Sequence, residues 1–127
     1  MSPEQFKHYL VGNPKYDAEH YMIFEKINIF RALDNPSKEQ CDDALSDVLS
    51  SYVLHCAEEE SFMEEKEFPY RAYHIQTHHK LQTQLQRYIS MHSEFGKIVK
   101  NELYDFSVAL AHHIDEDDRQ FYDLHKI

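Results

Sequence analysis

Glycine is scarce in this chain, with two residues among 127, and proline is held to four. Strand-and-turn architectures rely on both residue types at their turns, so the scarcity argues against a turn-rich all-β fold and favours long helices. Long apolar runs are missing too, so no segment is expected to span a bilayer. The opening stretch, MSPEQFKHYL, lacks the apolar core of a secretory signal. Basic residues are outnumbered, 13 against 23 acidic ones, which leaves a net charge of −10. That balance disfavours nucleic acid and anionic membrane surfaces as partners. The two cysteines, Cys41 and Cys56, form no CxxC pair. Each reads as a buried thiol, and a cytoplasmic setting fits.

Apolar residues make up 42 % of the chain and include nine Tyr and eight Phe, enough for one globular core. No linker, low-complexity stretch or internal repeat divides it, so a single domain is expected over 1–127. A short N-terminal arm, Met1 to Lys15, runs through the turn signal Asn13-Pro14. Four helical patterns follow, from Tyr16 to Leu124. Tyr16, His20, Ile23, Ile27 and Phe30 recur at steps of three and four, which is one face of a helix. Ser37 with Gln40 resembles a capping box opening a second helix. Its stripe is Leu45, Val48, Tyr52, His55, Glu59 and Phe62. Phe68-Pro69 ends it, with Pro69 expected in the first turn of a third helix. There the stripe is His74, His78, Leu81, Leu85 and Tyr88. A turn over Ser93 to Gly96 precedes the last pattern: Val99, Leu103, Phe106, Leu110 and His113, then Phe121 and Leu124. Short connections between four amphipathic helices predict an all-α, antiparallel up-down-up-down four-helix bundle.

Ten histidines are an unusual number, and they do not form one tract. His20, His55, Glu59, His74, His78 and His113 share stripes with Leu, Ile and Phe. Each buried polar group left unsatisfied costs about 1–3 kcal/mol. A bound metal removes that cost, because neutral imidazole and carboxylate become ligands. His55 with Glu59 and His74 with His78 are both four apart and can reach one point from one helix face. Depth agrees as well. In an antiparallel bundle, early positions on odd helices meet late positions on even ones, so all five histidines converge at one end. Five histidines with at least two carboxylates exceed the needs of one tetrahedral zinc. Nitrogen-rich coordination with shared carboxylates suits two iron ions, while manganese or zinc can substitute in a purified sample.

These residues resemble the motifs of the hemerythrin family, in its bacterial single-domain form. The likeness lies in Asp17-Ala18-Glu19-His20 followed by Phe24 and Ile27-Asn28, and in the segment from His55 to Met63. It continues through Phe68-Pro69 ahead of His74 and His78, and through His113-Ile114 followed by Asp118 and Phe121. The resemblance implies that His74, His78 and His113 hold one iron and His20 and His55 the other. Glu59 and Asp118 would bridge the pair beside a solvent-derived oxo or hydroxo group. Dioxygen would bind at an open position on one iron and leave unchanged. Leu110, one turn before His113, matches a family position beside the oxygen pocket. Ala109 stands where the family often has Trp, a departure expected to widen access and speed oxidation. Simple helical geometry favours Asp117, four residues after His113, over Asp118, which is five away and rotated by about 140°. The family spacing favours Asp118. Asp17, Glu25 and Glu58 are candidates to orient the imidazoles from outside. Glu60, and Glu58 as its simpler reading, belong to a solvated helix face, while His79 and His112 read as exposed or as outer partners of the ligands.

The implied function is reversible dioxygen binding for carriage, storage or delivery, not enzymatic turnover. Two other classes compete with it. One is an oxygen or redox sensor acting through a separate protein partner. The other is a di-iron enzyme handling peroxide or nitric oxide.

Overall fold

The computed structural model describes residues 3–92 and 96–124. Its N-terminal arm begins with a helical turn, α1 (Pro3–Phe6), and a 3-10 turn at Lys7–Tyr9. Four long helices follow: α2 (Pro14–Arg31), α3 (Lys38–Glu65), α4 (Arg71–His92) and α5 (Gly96–His113). A π-helical turn (Ile114–Asp118) then leads into α6 (Arg119–Leu124). No strand occurs among the described residues. Helix α3 packs on α2 and α4, α4 on α5, and α5 back on α2. With such short connections, this closes the expected antiparallel four-helix bundle. The expected Ser93–Gly96 turn falls largely outside the described residues, and α5 already begins at Gly96.

Local chemistry accounts for the helix ends. Asn13 is the N-cap of α2, its Oδ1 accepting from the backbone N–H of Lys15 and Tyr16, with Pro14 preset for the first turn. Ser37 and Gln40 form the expected reciprocal capping box: Gln40 N–H donates to Ser37 Oγ (3.1 Å) and Ser37 N–H to Gln40 Oε1 (2.8 Å). Pro69 sits ahead of α4 rather than inside its first turn. The first helical bond there runs from His74 N–H to Tyr70 O, which makes Tyr70 the flanking residue.

The stripes are buried as the periodicity requires. Ile23, Ile27, Leu45, Val48, Tyr52, Leu85, Val99, Leu103, Phe106 and Leu110 are all sealed from solvent. Phe62 and Tyr88 are partly buried, and Leu124 is 67 % exposed, because the π-turn has shifted the register: Phe121 faces inward as expected, and Tyr122 does so in place of Leu124. Phe6 of the arm packs on the rings of Tyr21 and Phe24. No described helix is long and apolar enough to cross a membrane.

Candidate metal centre

One end of this apolar core is replaced by ionisable side chains. His20, early in α2, faces His55, late in α3, with their Nε2 atoms 3.0 Å apart. His74 and His78, early in α4, meet His113 at the end of α5, with ring centroids 4.6–5.0 Å apart. Glu59 and Asp118 lie between the two sets, both at 0 % exposure. All seven expected residues are thereby brought together. They form two overlapping groups whose ligand atoms lie within 4.8 Å of one another. The first is Glu59, His74, His78, His113 and Asp118; the second is His20, His55, Glu59 and Asp118.

The shared carboxylates divide their oxygens the same way. Glu59 Oε1 lies 3.0 Å from His74 Nε2 and 2.9 Å from His78 Nε2, while Oε2 lies 3.5 Å from His55 Nε2. Asp118 Oδ1 lies 2.6 Å from His74 Nε2 and 3.0 Å from His113 Nε2, while Oδ2 lies 3.3 Å from His20 Nε2. Each carboxylate thus offers one oxygen to the three-histidine set and the other to the two-histidine set.

Asp118 reaches this position because residues 114–118 are π-helical, with Arg119 N–H bonding to Ile114 O. A five-residue hydrogen-bond step turns a residue five positions on back toward the same side, which an α-helix does for the fourth. Asp117 is rotated outward and accepts from His113 Nδ1–H (2.9 Å).

Asp117 is one of three carboxylates that hold the rings from outside. His55 Nδ1–H donates to Glu19 Oε1 (2.7 Å) and His78 Nδ1–H to Glu60 Oε2 (2.7 Å). An ionised carboxylate only accepts, so the proton stays on Nδ1 and Nε2 faces the cluster. None of the three candidate side chains fills this role. Asp17 instead accepts from Val11 and Gly12 N–H, Glu25 is exposed, and Glu58 pairs with Lys15 at 3.3 Å. Glu60, expected on a solvated face, is an orienting residue. His79 and His112 are exposed, as expected. Each orienting carboxylate is the chain neighbour of a cluster residue, which is the one signal the sequence carries for it. Cys56, Glu60 and His78 make a third grouping. Its His78 Nδ1 is already taken by Glu60, so it belongs to the outer wall of the same centre.

Tyr122 completes the cluster and was not anticipated. It is 1 % exposed, and its phenol donates to Glu59 Oε2 at 2.8 Å. Leu110 is buried one turn before His113, and Ala109 is partly buried beside it.

Two buried carboxylates carry two negative charges that need compensation. Without a metal, protons supply it. Burial opposes a charged His78, but Cys56, Glu59 and Glu60 outweigh it and push its pKa up to about 12. For His113, burial is likewise outweighed, by Asp118 and Asp117, and its pKa rises to about 9. His55 and His74 are raised in the same way. Burial and Asp118 push Glu59 up, yet the surrounding histidines hold it far below its ordinary value. Asp118 is held down by His113, His20 and His74 against burial.

Protons leave the cluster imperfectly satisfied. His78 Nε2, His113 Nε2 and Asp118 Oδ2 are buried and close to Glu59 Oε1, Asp118 Oδ1 and His20 Nε2, but in orientations that make no hydrogen bond. Two ring nitrogens 3.0 Å apart, as in His20 and His55, repel unless one carries a proton or both face a cation. Metal ions satisfy all of these atoms at once, so the donor set fits them. Fold and site together define a class: a four-helix bundle with a buried His/Glu/Asp cluster that could hold a metal ion. No protein-family model, curated protein or solved structure matches the chain.

Proposed function

We propose that the chain is a non-haem di-iron protein of the hemerythrin type that binds dioxygen reversibly, for carriage, storage or delivery. The observation that carries this reading is the even division of Glu59 and Asp118 between a three-histidine set and a two-histidine set. His74, His78 and His113 would hold one ion, and His20 and His55 the other. A bound iron pair would supply the electrons and the open coordination position for dioxygen.

The chain's own residues do the rest. Glu19, Glu60 and Asp117 fix three imidazoles through their Nδ1 protons, so that Nε2 faces the cluster. Met63, one turn beyond Glu59, and Leu110, one turn before His113, are sealed from solvent and help exclude water. The Tyr122 phenol keeps its proton at Glu59 Oε2, because burial and the carboxylates of Glu59 and Asp118 resist its ionisation. The two-histidine set has fewer protein donors and is the natural place for a small ligand.

The test is optical. The protein is loaded with ferrous iron without air, exposed to air, then returned to an inert atmosphere. A visible band that appears with air and disappears on its removal supports reversible binding. Irreversible oxidation accompanied by consumption of peroxide or nitric oxide replaces the carrier reading with a di-iron enzyme.

A further inference from the structure

The two halves of the cluster are not equivalent. On the three-histidine side, the distances from Glu59 Oε1 and Asp118 Oδ1 to the ring nitrogens are 2.6–3.0 Å. On the two-histidine side they are 3.3 and 3.5 Å. Tyr122 adds to this difference. Its phenol donates to Glu59 Oε2, the oxygen that faces His55, while Oε1 faces His74 and His78. The ring has little freedom to leave, since Tyr16, Phe121 and Phe62 lie against it at centroid distances of 5.5, 5.0 and 6.3 Å. An oxygen that accepts a charge-assisted hydrogen bond has less electron density to give a cation.

We propose that Tyr122 is a positioning residue that widens the inequality between the two metal sites. By occupying Glu59 Oε2, it weakens the hold of the two-histidine half on its ion. The three-histidine half therefore fills first and empties last, and the second ion is the exchangeable one. The opposite effect comes from the carboxylates on Nδ1, which strengthen the histidines as donors. Tyr122 works on the oxygen, and on one half only. This inference rests on the two-metal reading above.

Stepwise affinities test it, measured by titrating the full chain with cobalt(II) against a competing chelator, without air. Wild-type protein is expected to bind two ions in separable steps. Tyr122→Phe removes the donor and should tighten the second step about tenfold while leaving the first within about twofold. Fluorotyrosine at position 122 keeps the shape and strengthens the donor, and should loosen the second step. That opposite movement is one that loss of packing does not produce. The inference is overturned if both steps move together in Tyr122→Phe, if the second step weakens there, or if fluorotyrosine leaves it unchanged. Binding of a single ion by wild-type protein overturns the two-metal reading itself, and this inference with it.

Discussion

Asp118 lies five residues after His113, and its Oδ1 nevertheless sits 3.0 Å from His113 Nε2. The π-turn over Ile114–Asp118 makes that contact possible and leaves Asp117 on the outer nitrogen of the same ring. Two adjacent aspartates therefore have different consequences when neutralised. Asp118→Asn removes a charge shared by both halves and should bring metal content below two ions per chain. Asp117→Asn should keep both ions and weaken affinity by about 10–100-fold, as loss of an orienting partner does. Metal analysis with chelator competition separates the two, and the reverse pattern would return Asp117 to the centre.

Metal uptake should release protons. At neutral pH the raised His78 and His113 carry protons in the metal-free protein, and a metal ion must displace them. Calorimetry of zinc(II) binding in buffers of different ionisation enthalpy should show net proton release near pH 7. Affinity should climb as pH rises toward 9. Binding without proton exchange would contradict the charge compensation described for the cluster.

The stability of the metal-free protein should follow the same groups. A histidine whose folded pKa is raised contributes stability below the unfolded value of about 6.5, and that stability is lost as pH rises through the folded value. For His113 the loss falls between about pH 6.5 and 9, and for His78 it extends toward 12. Glu59 and Asp118, both lowered, contribute above about pH 4 and lose their contribution as pH falls. Thermal unfolding after chelation should therefore peak in mildly acidic buffer and decline by pH 9. A rising midpoint over that interval would contradict the assignment.

Much of this centre was legible before the fold. His20, His55, Glu59, His74, His78 and His113 fall on apolar stripes at helical spacing, and the antiparallel topology alone brings them to one end. Asp118 was visible only through family spacing, because α-helical periodicity pointed to Asp117. A π-turn leaves no periodic mark in sequence, and for the same reason Tyr122 was missed and Leu124 misplaced. Glu19, Glu60 and Asp117 were missed because their role depends on which way a ring nitrogen on a neighbouring stretch of backbone points. Helical spacing says nothing about that direction. The helix start at Ser37 was readable because capping chemistry is local, whereas Asn13-Pro14 read as a turn in the arm and is instead the cap and first residue of α2.

The apolar end of the bundle should be separable from the metal end. Leu85, on α4 beyond the histidines, is fully buried. Leu85→Ala should cost about 2–5 kcal/mol through the cavity it leaves. Metal content of the folded protein should not change. Denaturant unfolding alongside metal analysis checks both, and a large loss of metal with little loss of stability would contradict this division.

Iron stoichiometry tests the central claim most directly. The chain is loaded with ferrous iron without air, freed of excess metal, and assayed for iron per chain beside Glu59→Gln. The account predicts two irons per chain in the wild type and fewer than two in the variant. One iron or none in the wild type, or two in both proteins, would contradict a pair of ions sharing Glu59 and Asp118.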